Sequence, residues 1–168
     1  TEGLVARWTL DDGSGTVAGD TSGGDHDATL VNGPVWTTGM MGGALSFDGI
    51  DDYVAVPISA AFDFGPGGFS IAAWIRTSVG TLEQYVIDFY CEGNFPHVEI
   101  YTGQFDSKVG THVCRGELEC ERLTDGVVTT GHWRHVMITY DPTTTPGFLL
   151  YVDGARRESG TLELTVPV

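Results

Sequence analysis

The most constraining feature of this sequence is the segment at residues 43–57, which reads GALSFDGIDDYVAVP. Apolar and polar residues alternate on both sides of its centre, as they do in strands that bury one face. The centre combines aspartate with glycine, and both residue types favour tight turns. Because few folds place alternating strands on either side of an acidic turn, the segment predicts a β-sandwich.

The composition agrees with a β-rich fold. The 168 residues include 24 glycines and 7 prolines, and short β-branched or aromatic runs stand between turn-forming segments. No long helical periodicity is present. A chain of this length buries one sizeable core and leaves little for a second. We therefore expect a single all-β, antiparallel domain over residues 1–168, with almost no helix.

An ordered series of strand patterns runs along the chain. The opening strand, at residues 4–10, has its core-facing residues at alternate positions: Leu4, Ala6, Trp8 and Leu10. Further strands are predicted at residues 28–30, 44–47, 53–56, 69–76, 85–90, 98–101, 109–114, 119–123, 133–140 and 148–152. The pair 85–90 and 98–101 forms one predicted hairpin, and the pair 109–114 and 119–123 forms another.

The charge excludes two classes of partner. The chain has 23 acidic and 8 basic residues, a formal net charge of −15, and Lys108 is its only lysine. Phosphate contacts need clustered arginine and lysine, so we expect no binding to nucleic acid or anionic membrane. No apolar run approaches the roughly 20 residues of a membrane helix, so we expect no membrane insertion. The acidic balance suits calcium binding, and a solvated acidic surface explains it equally well.

Seven motifs follow one another in a characteristic order. They are LVARWTL at residues 4–10, then DDGSGT, DTSGG, GALSFDGIDDYVAVP, FSIAAWIR at 69–76, HWRHVMITYD at 132–141 and LLYVDGARR at 149–157. In this order they closely resemble the laminin-G-like family of the concanavalin A-like lectin and glucanase jelly rolls, over nearly the whole chain. The resemblance implies an antiparallel two-sheet β-sandwich jelly roll that is secreted or displayed at a cell surface.

The resemblance does not select one function, because this scaffold hosts lectins, enzymes, adhesion domains and structural proteins. We expect a non-catalytic module that binds a glycan or an extracellular protein. The alternative is a subunit of an extracellular filament or surface layer, and a glycoside hydrolase is the third hypothesis.

The resemblance also implies a difference at the end of the sequence. Family members continue beyond the YVDG motif with a strand, a Gly-rich segment and a last strand beside the opening one, whereas this sequence ends in TLELTVPV. An opening strand without that neighbour would expose an unpaired edge. Two explanations stay open: the sequence belongs to a longer chain, or an identical subunit donates the strand.

Hard-cation binding is the chemistry most clearly suggested. Calcium takes about six to eight oxygen ligands, and DTSGGDHD at residues 20–27 supplies such oxygens. The resemblance implies that Asp20 and loop carbonyls hold a structural calcium, with Asp25 and Asp27 adding charge and Asp48 as a weaker partner. The alternative for these aspartates is a turn-capping role.

Three cysteines are consistent with an oxidising compartment. Cys114 and Cys120 bracket RGELE, a spacing that could close across a hairpin. Cys91 could instead pair with either of them. The remaining thiol would be buried or would form an intermolecular bridge.

Glycan recognition needs aromatic faces and a few planar polar groups. The candidates are Trp36, Tyr85, Tyr90, Phe95, His97 and Tyr101. The alternative for each is an ordinary packing or surface role. The resemblance assigns Trp8, Trp74 and Trp133 to core positions instead.

Catalysis would centre on the segment ELECE. Glu117, Glu119 and Glu121 would share one strand face, and related jelly-roll glucanases carry the pattern E-x-D-x-E. Here the central aspartate is replaced by glutamate and Cys120 interrupts the pattern, so we expect an acidic hairpin without catalysis. The histidines at positions 132 and 135 have a spacing that is poor for zinc.

Overall fold

The structure is a computed structural model that describes residues 3–64, 67–78, 84–89, 97–103, 108–115, 119–125 and 131–160. Within these ranges the strands are β1 (Val17–Ala18), β2 (Ala28–Val31), β3 (Val35–Thr38), β4 (Gly43–Ser46), β5 (Tyr53–Ala55), β6 (Phe69–Ile75), β7 (Gln84–Phe89), β8 (His97–Thr102), β9 (Val109–Arg115), β10 (Glu119–Asp125), β11 (Arg134–Tyr140), β12 (Phe148–Val152) and β13 (Ala155–Gly160). One 3-10 turn spans Ala60–Phe62. The pairings of these strands are antiparallel. The all-β prediction is confirmed.

The chain divides into two compact units, an N-terminal unit (Thr1–Asp63) and a C-terminal unit (Phe64–Val168). The N-terminal unit contains β1 to β5, and the C-terminal unit contains β6 to β13. The single laminin-G-like domain expected over residues 1–168 stays a prediction. The two units are described separately below.

The N-terminal unit is built from small strands and polar loops. A three-stranded sheet has the order β1-β2-β5, and β3 pairs with β4 in a two-stranded sheet. The buried apolar residues in the described part of this unit are small: Ala18, Ala28, Pro34 and Ala44. Hydrogen bonds between side chains and backbone link its segments, for example from the Gly43 amide to Asp11 Oδ1 (2.7 Å) and from Trp36 Nε1 to the Gly15 carbonyl (2.9 Å).

The predicted opening strand at residues 4–10 is wrong. Its only ladder contact among the described residues is an isolated bridge between Trp8 and Asp20. Residues of the acidic loop form hydrogen bonds with its backbone instead. The Arg7 amide donates to Asp20 Oδ1 (2.9 Å), and the Arg7 carbonyl accepts from the Thr21 amide (2.8 Å). Because the acidic loop takes these donors and acceptors, the segment forms no sheet ladder beyond the bridge at Trp8.

The C-terminal unit is a two-sheet sandwich. One four-stranded sheet has the order β13-β12-β11-β6, and the other has the order β10-β9-β8-β7. Alternate residues of the strands of both sheets point into one core, which contains Val98, Ile100, Val109, Val113, Leu123, Val136, Ile138, Tyr140, Phe148 and Leu150. This arrangement confirms the predicted antiparallel β-sandwich and both predicted hairpins.

The sequence did not predict three strands: β1, β3 and β13. The last of these follows a turn at Asp153 and Gly154, whose φ angles of 53° and 75° are both positive. Such a pair of residues closes a tight hairpin between twisted strands, and Asp-Gly is a preferred sequence for it. The YVDG motif therefore contains the end of β12 and the turn of the β12–β13 hairpin.

Trp74 corrects another expectation. The resemblance assigned it to the core, but its side chain is 40% exposed. In β6 it alternates with the core-facing Ile71 and Ile75, so it lies on the opposite face, where it stands across from His135 with ring centroids 5.2 Å apart. No helix in the described ranges is long and apolar enough to cross a membrane.

Candidate functional site

The candidate site lies on the β7–β10 sheet, on the face that points away from the core. In β8, Val98 and Ile100 are buried in the core, so His97, Glu99 and Tyr101 point to the other side. The neighbouring strands continue this pattern. We call the resulting surface the outer face; its residues are Tyr85, Asp88, His97, Glu99, Tyr101, Gly110, His112, Cys114, Cys120, Arg122 and Thr124.

Strand register arranges the outer face in three rows. The first row contains Tyr85, Tyr101, Gly110 and Thr124. The second contains Asp88, Glu99, His112 and Arg122. The third contains His97, Cys114 and Cys120. Directly opposed side chains in a sheet are close enough to interact, so each row brings together residues that are distant in sequence.

Four residues form a histidine and carboxylate cluster at the centre of this face. His97 Nε2 lies 2.9 Å from Asp88 Oδ1 and 3.0 Å from Glu99 Oε1. The second Glu99 oxygen, Oε2, lies 3.5 Å from His112 Nδ1. The side chain of Glu99 is 13% exposed, whereas those of Asp88 and His97 are 47% and 27% exposed. The cluster is thus partly shielded and still open to solvent.

Two tyrosines in the first row have different surroundings. Tyr85 is 57% exposed. Tyr101 is buried: its ring lies against Gly110, where an added Cβ would overlap it, and the guanidinium carbon of Arg122 lies 5.4 Å from its centroid. Of the two rings, that of Tyr85 is therefore the exposed one.

The third row contains a disulfide. Cys114 and Cys120 stand directly opposite each other across β9 and β10, with Cα atoms 4.0 Å apart, and their sulfurs are bonded. The pairing is the one that the spacing suggested, and Cys91 lies outside the described residues. His112 Nε2 lies 3.4 Å from Cys114 Sγ, so the disulfide borders the cluster.

The structure brings three of the six predicted ligand-binding residues together on the outer face, namely Tyr85, His97 and Tyr101. Trp36 belongs to the N-terminal unit, is partly buried and donates from Nε1 to a backbone carbonyl. Tyr90 and Phe95 lie outside the described residues. Ligand contact by these six residues stays a prediction.

The predicted calcium loop has a structural role in the N-terminal unit. Asp20 Oδ1 accepts from the amides of Arg7 (2.9 Å) and Ser22 (2.8 Å), and Oδ2 accepts from Ser22 Oγ (2.8 Å) and the His26 amide (3.1 Å). Partial desolvation raises the pKa of this carboxyl, but the hydrogen bonds outweigh it and hold the pKa well below its usual range. Four donors surround the carboxylate.

These hydrogen bonds affect whether the Asp20 carboxylate can bind calcium. A cation at Asp20 would need the oxygens that already accept hydrogen bonds, so the arrangement at this carboxylate does not fit calcium. Asp27 accepts from the Asp20 amide (2.8 Å), and Asp25 is exposed with a φ of 56°. Calcium binding by Asp25, Asp27 and Asp48 stays a prediction.

Asp48 lies in a separate acidic turn. Its Oδ1 accepts from the Ile50 amide (2.8 Å), and its own amide donates to Asp52 Oδ2 (3.0 Å). Carboxylate oxygens of Asp48, Asp51 and Asp52 lie within 4.8 Å of one another. The hydrogen bonds match the turn-capping alternative, and the described contacts do not join Asp48 to Asp20.

Glu121 is the carboxylate of ELECE whose side chain the structure describes, and it does not lie on the outer face. Cys120 points to that face, so Glu121 lies on the opposite side of β10, next to Gly160 of β13. Glu117 and the side chain of Glu119 lie outside the described part of the chain.

Sequence reasoning missed Asp88, Glu99 and His112. A signal was present, because HVE at residues 97–99 and HVC at residues 112–114 each put a histidine and a second ligand-type residue at alternate positions. Both segments fall in strands that were predicted correctly.

Comparisons with known proteins agree with this fold. A laminin G family model, described as the concanavalin A-like lectin/glucanases superfamily, matches residues 48–168. The crystal structure of an S-layer domain-containing protein from Clostridium thermocellum ATCC 27405 is 30% identical in sequence, with a TM-score of 0.57, and the match covers 96% of this chain and 74% of that chain. A comparison with curated proteins gave no match. The chain belongs to the concanavalin A-like lectin/glucanases superfamily.

Proposed function

We propose that this chain is a non-catalytic carbohydrate-binding module that works outside the cell and binds its ligand on the outer face. The observation that carries the proposal is the exposed ring of Tyr85 on the same face as Asp88, His97 and Glu99. Aromatic faces pack against sugar rings, and carboxylates and imidazoles form hydrogen bonds with hydroxyl groups. The outer face offers both kinds of contact side by side.

The scaffold beneath these residues favours recognition. The outer face is carried by four strands, β7 to β10. The opposite side of each strand packs in or against the sandwich core. The Cys114–Cys120 disulfide joins β9 to β10 at one end of the face. Side chains on packed strands are held more accurately than side chains on loops, which suits a preformed binding surface.

Two observations support a location outside the cell. Structural disulfides persist in oxidising compartments, and the Cys114–Cys120 bond is of this kind. The similar solved structure is that of an S-layer domain-containing protein, a description that suits a surface module.

The outer face offers little support for glycoside hydrolysis. That reaction needs two carboxyl groups on opposite sides of the scissile bond, with separate roles. Asp88 and Glu99 are the two acidic residues of the face, and both contact the same nitrogen of His97. This arrangement favours binding over catalysis.

A glycan array with the purified 168-residue chain tests the proposal, followed by calorimetric titration of the best ligand. Tyr85→Ala should weaken binding at least tenfold, because it removes the exposed ring. Tyr53→Ala is the matched control, since Tyr53 is 52% exposed and lies in the N-terminal unit. Absence of any glycan ligand, or equal losses in the two variants, would overturn the proposal.

A second candidate function is a subunit of a surface layer in which identical subunits complete each other's sheets. The similarity to the S-layer domain-containing protein favours it. Sedimentation of the purified chain, with and without a calcium chelator, separates the two functions. Ordered oligomers would support assembly, and a stable monomer under both conditions would contradict strand donation.

A further inference from the structure

We propose that Asp88, His97 and Glu99 bind a divalent transition-metal ion of the zinc class on the outer face. One ligand atom from each residue lies within 4.8 Å of the other two. The side chains come from two neighbouring strands, β7 and β8, and the register that pairs Asp88 with Glu99 brings them together.

The distances fit a metal centre. Zinc binds histidine nitrogen and carboxylate oxygen at about 2.0–2.2 Å, so two ligands of a tetrahedral ion are about 3.3 Å apart. His97 Nε2 lies 2.9 Å from Asp88 Oδ1 and 3.0 Å from Glu99 Oε1. A neutral imidazole has at most one proton on this nitrogen. Only one of the two carboxylate oxygens can therefore accept a well-aligned hydrogen bond from it. A cation among the three atoms would serve all of them.

Charge and ligand type select the ion. Asp88 and Glu99 together carry two negative charges, which a divalent cation would balance, and Glu99 is only 13% exposed. Calcium prefers an all-oxygen set, whereas imidazole nitrogen suits zinc, copper and nickel. Three protein ligands leave a fourth position of a zinc ion for water or for an exogenous ligand.

His112 is a positioning residue for this site. Its Nδ1 lies 3.5 Å from Glu99 Oε2, the oxygen that does not face His97. Groups that hold the second oxygen of a ligating carboxylate orient it, and their loss costs about 10–100-fold in metal affinity. His112→Ala should therefore weaken zinc binding by about tenfold, and His112→Gln, which can still donate to Glu99, should restore most of it.

Calorimetric titration of the metal-free, non-reduced chain with zinc chloride tests the proposal, with no glycan present. We expect one bound ion per chain. His97→Ala and Asp88→Asn should each weaken binding more than tenfold, while His132→Ala, at an exposed histidine outside the outer face, should not change it. The Asp88→Asn variant keeps the shape of a 47% exposed side chain, so its loss of binding would not come from unfolding.

Cobalt substitution identifies the ligands. A cobalt complex with nitrogen and oxygen ligands and no thiolate-to-cobalt charge-transfer band is the expected result. Sulfur ligation through reduced Cys114 and Cys120, which stand beside His112, would give that band and overturn the assignment. Absence of stoichiometric binding, or an equal effect of His97→Ala and His132→Ala, would also overturn it.

Discussion

Carboxylates in the two units of this protein have opposite roles. In the N-terminal unit, Asp20 receives hydrogen bonds from the backbone of three residues and the side chain of one. In the C-terminal unit, Asp88 and Glu99 contact imidazoles on a solvent-facing surface. The first arrangement holds loops in place, and the second leaves carboxylates and imidazoles together at the surface.

The difference follows from how each unit is stabilised. Among the apolar residues in the described part of the N-terminal unit, only three alanines and Pro34 are buried, so polar contacts must fix its loops. The C-terminal unit buries a continuous apolar core between two sheets, so exposed outer-face residues such as Tyr85 and Asp88 are not needed for that core. An apolar core thus leaves exposed polar residues available for the proposed binding role.

The largest expected effect tests the core of the C-terminal unit. Ile138 is fully buried, and Ile138→Ala should lower the free energy of unfolding by about 2–5 kcal/mol through lost burial and a cavity. The same substitution at Ile50, which is 86% exposed in the N-terminal unit, should change it by less than about 0.5 kcal/mol. Urea unfolding measures both, and equal effects would contradict the contrast between the units.

A smaller effect is expected from the disulfide. Replacing Cys114 and Cys120 together by alanine removes a link that closes a short loop across a sequence separation of 6, so the free energy of unfolding should fall by about 2 kcal/mol. Thermal and urea unfolding measure the loss. Because the bond joins β9 to β10, amide exchange should quicken in these strands and not in the N-terminal unit. Faster exchange in the N-terminal unit alone would break the comparison.

The smallest effect concerns Asp20. Hydrogen bonds outweigh desolvation and lower its pKa in the fold from the ordinary value of 3.8, so ionisation stabilises the folded state above that pH. The stabilisation is lost as the pH falls through the folded pKa. Asp20→Asn should therefore lower the melting temperature by a few degrees at neutral pH and by less in acid.

Asp25→Asn is the control for this variant. Asp25 is exposed in the same loop, and asparagine tolerates its φ of 56°. We expect no change in melting temperature at either pH. A loss at neutral pH that is equal for Asp20→Asn and Asp25→Asn would show that loop charge, and not the hydrogen-bonded carboxylate, stabilises the N-terminal unit.

Much of the fold could be predicted from local pattern. The strands β11 and β12 alternate strictly between core and surface, and the hairpins β7–β8 and β9–β10 fall where the sequence placed them. The opening segment also alternates, but side chains of the acidic loop bind its backbone, and hydrophobic pattern carries no information about such contacts. Pattern therefore predicts strands best where packing alone determines them.

The candidate site was harder to predict because it depends on register. Asp88 faces Glu99 only after a bulge between Tyr85 and Ile87 shifts the pairing of β7 with β8. A shift of one residue moves a side chain to the other face of the sheet, and local sequence does not determine where a bulge falls. The sequence shows which residue types are present, but it does not show that they lie next to one another in the sheet.

Hydrogen–deuterium exchange of the intact chain, with and without the best glycan from the array, tests the proposed role of the outer face most directly. Binding there should slow exchange in peptides covering β7 and β8 and leave residues 3–64 unchanged. Slower exchange confined to residues 3–64, or no change anywhere at saturating glycan, would contradict the assignment of binding to the outer face.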